Sequence, residues 1–134
     1  MEFAVQSRSK KNKEFIEHLL PSMIKQLGLT RSKKLLFVRI AREDLDDNDG
    51  LTSHITHLET IVVLLKPQNF ERLGIALAHE MVHVKQMARG TLKTVNGVKY
   101  WNGKRYSKRL KYLNQPWEIE AFSKQELLFR RAID

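Results

Sequence analysis

Five consecutive residues, His79-Glu80-Met81-Val82-His83, carry the most distinctive chemistry in this chain. On an α-helix, positions i and i+4 lie one above the other, so both imidazoles can reach a single metal ion. Glu80 stands about 100° around the helix from His79. That suits a base acting on metal-bound water better than a third ligand. The neighbours Leu73, Ile75, Ala76, Leu77, Ala78, Met81, Val82 and Val84 are apolar. Such a helix should be buried on most sides, and histidines in a buried helix need partners. The plainer alternative is a pair of core histidines hydrogen-bonded to neighbours, with Glu80 on a polar edge.

The chain contains no cysteine, which excludes disulfides, thiolate nucleophiles and Cys-based zinc or iron–sulfur sites. A third ligand must then come from histidines or carboxylates. His18, His54 and His57 all precede the motif, and the carboxylates after it are Glu118, Glu120, Glu126 and Asp134. Glu118 and Glu120 open a final helix, and one of the two is expected only to favour the positive end of its dipole. His54 and His57 read as surface or supporting residues rather than ligands, and Trp117 and Phe122 as core.

The elements that must hold these residues follow from periodicity and punctuation. Phe15, Ile16, Leu19, Leu20, Met23, Ile24 and Leu27 mark one face of a helix over 9–27, with Gly28 its stop. Pro21 should kink or split it. Strands are expected over 34–41 and 57–66, the second closed by Pro67. The polar stretch 42–53 between them reads as a loop with a turn at Asn48-Asp49-Gly50. Its Asp44, Asp46, Asp47 and Asp49 resemble a calcium loop at first sight. With Gly50 as the loop glycine, however, positions one and twelve fall on Leu45 and Thr56, neither a carboxylate. A solvated acidic turn is expected.

Asn69 should cap the motif helix, which runs to about Ala88 and is ended by Gly90. A β-hairpin or small meander follows over 91–107, with turns at Asn96-Gly97 and Asn102-Gly103. Pro116 suits the first turn of a last helix reaching about Ala132. The order is helix, two strands, helix, hairpin, helix: a single α+β domain of 134 residues.

With 42% hydrophobic residues the composition is globular rather than disordered. No segment has the length of a signal peptide's apolar run or of a membrane span, so a soluble, cytoplasmic protein is expected. The net charge is +9. Lys85, Arg89, Lys93, Lys99, Lys104, Arg105, Lys108, Arg109 and Lys111 fall between Val84 and Asn114, a span without one acid. Tyr100, Trp101, Tyr106 and Tyr112 are interleaved with them. The combination admits a nucleic-acid platform, or more plainly a solvated hairpin favouring acidic partners.

The His-Glu-x-x-His helix and the later Glu118-Ile119-Glu120-Ala121 stretch resemble zinc metallopeptidases of the gluzincin type. The likeness covers roughly His57 to Phe129 and looks closest to minimal, single-domain gluzincins of phage type. It implies a zincin-like fold with a small sheet, the motif helix, a hairpin and a C-terminal helix carrying the third ligand. It implies one Zn²⁺ held by His79, His83 and Glu118, with Glu120 the alternative, and hydrolysis of peptide bonds with Glu80 as general base. Those families often place a small residue and an acid three and four positions after the ligand glutamate. Glu118 has Ala121 but then Phe122; Glu120 has Ser123 but then Lys124. The supporting acid is absent either way. The strand around His57–Leu65 is expected to offer its edge to an extended substrate. An oxyanion donor is expected among Tyr100, Tyr106 and Tyr112, with Tyr112 the working candidate. Two other readings compete: a basic nucleic-acid-associated protein, and a degenerate zincin-like interaction module.

Overall fold

The structure, a computed structural model, describes residues 1–42, 45 and 48–134. The elements follow in the order β1 (Glu2–Ser7), α1 (Lys10–Gln26), β2 (Leu35–Ile40), β3 (Gly50–Ile55), β4 (Thr60–Leu65), α2 (Phe70–Ala88), β5 (Leu92–Val95), β6 (Val98–Trp101), β7 (Lys104–Arg105) and α3 (Pro116–Ile133). Short 3₁₀ turns occupy Thr56–Leu58 and Tyr112–Asn114. The fold is α+β, with a four-stranded sheet in the order β1-β2-β4-β3 and a separate meander β5-β6-β7.

Period-two burial builds the larger sheet. Val5, Val38 and Val63 are matched across β1, β2 and β4, and Leu36 faces Ile61 on the same side. These side chains join Ile16, Leu19 and Met23 of α1 and Leu77 and Met81 of α2 in one buried cluster. Each fully buried aliphatic side chain there contributes roughly 1.5–3 kcal/mol. β1, β2 and β4 run parallel, whereas β3 is antiparallel to β4 and forms the outer edge.

Two strands were not expected. β1 carries only Phe3 and Val5 as large inward candidates and is completed by pairing with the apolar β2. β3 lies in the polar stretch assigned to a loop. As an edge strand it needs one paired side and one covered face, so Leu51 and Ser53 remain exposed while Thr52 turns inward opposite Val63. The substrate-edge expectation is corrected with it. β4 is hydrogen-bonded on both sides, and the free edge on its side of the sheet belongs to β3, with β1 at the opposite edge. His57 sits in the turn joining β3 to β4, whose Glu59 adopts φ 51°. Of the acidic turn, Asp44, Asp46 and Asp47 lie outside the described residues, while the Asp49 carbonyl accepts from Lys66 N–H at 3.0 Å.

The helix punctuation is largely as expected. Ser9 and Asn69 accept from the N–H groups of Asn12 and Arg72, and Pro116 occupies the first turn of α3. Pro21 does not split α1. It is exposed, as is Glu17, whose carbonyl would have received the missing bond, so water can replace it. Gly74 brings α2 and α3 together: a Cβ at this position would run into the Phe129 ring. Among the described residues, no helix is long and apolar enough to cross a membrane.

Candidate metal centre

α2 and α3 meet where their polar residues are buried. His79, Glu80, His83 and Glu118 are each no more than 7% exposed. The two imidazole rings stand edge to face with centroids 5.0 Å apart. Glu118, in the first turn of α3, places one oxygen, Oε1, 2.8 Å from His79 Nε2 and 3.1 Å from His83 Nε2. These three residues form a group able to hold a metal ion. Glu120 is turned elsewhere. Its Oε1 accepts from Gln86 and its Oε2 pairs with Lys124.

The far side of each ring is held by a glutamine. His79 Nδ1 lies 2.8 Å from Gln125 Oε1, and His83 Nδ1 lies 2.8 Å from Gln86 Oε1. Gln86 cannot be turned around, because its Nε2 already donates to the Trp117 carbonyl at 3.0 Å and to Glu120 at 3.1 Å. Its oxygen must therefore accept, and His83 must carry its proton on Nδ1. The Nε2 lone pair of a neutral His83 then points at a carboxylate oxygen. Such an arrangement needs a proton or a metal ion between the two atoms.

Electrostatics bear the same mark. Burial by itself would raise the Glu118 carboxyl, but hydrogen bonds from His79 and His83 outweigh it and hold the group below the usual carboxylate range. For His79, burial works to lower the pKa, and the Glu118 hydrogen bond with the nearby Glu80 charge more than restores it, leaving it raised. Burial raises Glu80 above an ordinary carboxyl. Its Oε1 accepts from Thr52 Oγ1 at 2.8 Å. A Cβ on Gly50 would stand 2.8 Å from Glu80 Cγ and 3.0 Å from its Oε2, so the start of β3 is shaped to admit this carboxylate.

Of the three tyrosines, Tyr112 reaches the cluster, its hydroxyl donating to Glu118 Oε1 at 3.0 Å. Burial and the adjacent Glu118 charge raise its pKa, so it stays a donor. Tyr106 instead packs edge-on against Trp117. Trp117 is buried as expected, but Phe122 is not core. It is 44% exposed and leans on His79 and Tyr112, forming one wall of the site opening. His54 lies on β3 and His57 in the following turn, both outside the metal-capable group.

Two adjoining cavities of about 320 and 360 Å³ open on either side of His79 and Glu80, sharing Asn48, Gly50 and Tyr112 as walls. Together they make a cleft along the free edge of β3. Thr52, Gln86 and Gln125 escaped sequence reasoning. Gln86 follows His83 by one helical turn and Gln125 lies two turns beyond Glu118, so only their spacing on a shared face hinted at them.

No family model matches the chain, and neither the curated proteins nor the solved structures yield a match.

Proposed function

We propose that this protein is a zinc-dependent metallopeptidase, with His79, His83 and Glu118 as protein ligands. The observation that carries the reading is the fixed amide of Gln86. It leaves His83 presenting a bare nitrogen to a carboxylate, and one ion converts all three facing groups into ligands. The alternative, a charged imidazolium at His83 packed against a second imidazole in a buried pocket, costs desolvation that a bound ion would offset. Donor separations of 2.8 and 3.1 Å approach the roughly 3.3 Å expected for tetrahedral bonds of 2.0–2.1 Å. Two imidazoles and one carboxylate are the donor set of an open, catalytic zinc site rather than a closed structural one.

Zinc held there supplies Lewis acidity, polarising a peptide carbonyl and lowering the pKa of a water. The chain's own residues do the rest. Glu80, raised by burial, takes a proton from the attacking water and delivers it to the leaving amine. Thr52 fixes the carboxylate by donating to Oε1. Tyr112, protonated and lining the cleft, serves the developing oxyanion by turning its hydroxyl from Glu118 to the substrate. An extended substrate adds as a strand to the free edge of β3. An antiparallel edge strand beside the motif helix, and a following helix bearing the glutamate, support the zincin-like assignment of the fold.

Zinc content by elemental mass spectrometry, on protein without a histidine tag, tests the centre. Close to one zinc per chain is expected. A value near zero that does not rise when zinc is added sinks the proposal. Glu80→Gln should keep the metal while hydrolysis of unfolded casein falls by about 10²-fold or more. Retained hydrolysis would remove Glu80 as the base.

A further inference from the structure

Beyond the metal centre, the cleft continues into a groove of about 820 Å³ between β3 and the β5–β6 hairpin. The two spaces share Thr52, Met87, Leu92 and Lys99 as walls, so a ligand can run from one into the other. The groove is lined by Lys34, Arg89, Lys93 and Lys99, and among the described residues no carboxylate lines it. Lys34 is neutralised by Glu59 at 2.9 Å. The other three have no carboxylate partner among the described residues. Arg89 donates to the Gly28 carbonyl, and Lys99 rests over the Trp117 ring at 5.3 Å from its centroid. Lys99 also lines the space around the histidines, so the groove's positive charge reaches the metal centre.

From these observations we infer that the groove binds an acidic peptide segment, and that, on the metallopeptidase reading, the substrate carries Glu or Asp on one side of the cleaved bond. Continuity with the β3 edge favours a peptide. Gly50 to Thr52 border the site and Thr52 to Thr56 border the groove, so a strand added along that edge enters both. At about 3.3 Å per residue, four residues of β3 cover about 13 Å. The acidic side chains then fall within about five positions of the cleaved bond. A nucleic acid would need exposed rings on which bases stack. No aromatic side chain lines the groove, and Trp101, Tyr106 and Trp117 are packed against one another.

Fluorescence anisotropy tests the groove with two labelled decapeptides, one bearing four glutamates in one half and the other glutamines at the same places. An exposed ion pair gives at most about a fivefold factor, so about tenfold or more tighter binding of the acidic peptide is expected from three cations. Lys93→Ala/Lys99→Ala should abolish most of the difference, and Lys93→Arg/Lys99→Arg should keep it. Equal binding of the two peptides overturns the inference. So does tighter, equally lysine-dependent binding of a single-stranded 12-mer oligonucleotide, which would make the groove a nucleic-acid site. Cleavage of a random peptide library, with products mapped by mass spectrometry, separates the two levels. Acidic enrichment on one side of the cut supports both, and cleavage without it overturns the inference alone. Selective binding with no cleavage leaves the groove and overturns the peptidase reading.

Discussion

Replacing Gln86 by leucine perturbs the centre without touching a ligand. The side chain is 2% exposed and makes three hydrogen bonds, from His83 Nδ1 and to the Trp117 carbonyl and Glu120. Leucine retains most of the volume but leaves the imidazole N–H without a partner, while the Trp117 carbonyl keeps its place in the helical ladder of α3. The loss of stability is then the cost of one buried unpaired group, roughly 1–3 kcal/mol. Glu120 is partly exposed and can turn to water. For the metal, losing the partner that fixes a histidine's tautomer costs about 10- to 100-fold in affinity, readable by competition with a chromophoric chelator near neutral pH. Gln86→Glu offers Nδ1 a stronger acceptor but sets a second carboxylate where Nε2 now donates to Glu120 at 3.1 Å. It should not rescue binding, whereas Gln125→Glu should leave affinity intact or tighten it. Zinc affinity within twofold of wild type in Gln86→Leu, or a gain in Gln86→Glu, would refute the claim that this amide fixes the proton on His83.

Further outcomes follow from the same geometry. Glu118→Ala should weaken zinc binding at least tenfold more than Glu120→Ala, since only Glu118 stands between the two Nε2 atoms; the reverse ranking in the same chelator assay would move the ligand by two residues. Gly50→Ala should lower hydrolysis about tenfold or more at unchanged zinc content, because its Cβ displaces Glu80 rather than a ligand; full activity would show that the Glu80 carboxylate needs no such room. In metal-free protein, Glu118 has a depressed pKa. The stability it lends is complete above the ordinary carboxyl value of 4.5 and drains away as pH falls below it. Urea midpoints of chelator-treated protein should therefore fall more steeply on acidification than those of Glu118→Gln.

How far the sequence could be read depended on where each residue's reason for being there resides. α2 was legible end to end because its cap, apolar stripe, motif and closing glycine are all local. The start of α3 was legible for the same reason, through Pro116. β3 was not, since an edge strand with two exposed side chains looks like a loop until its partner β4 is known. That one omission misplaced the substrate edge. The choice between Glu118 and Glu120 depended on how α3 is rotated against α2. That rotation is governed by packing such as Phe129 over Gly74, which no spacing rule conveys. Thr52, Gln86 and Gln125 are neutral residues whose roles come wholly from what lies across from them.

The position of Glu118 has a mechanical consequence as well as a chemical one. His83 and Glu118 are 35 residues apart in sequence, and the whole β5–β7 meander lies between them. An ion joining the two closes that length of chain into a ring. By the loop entropy of a cross-link of this span, the closure removes about 4 kcal/mol of freedom from the unfolded chain. An ion bound there would double as a rivet in a protein without disulfides.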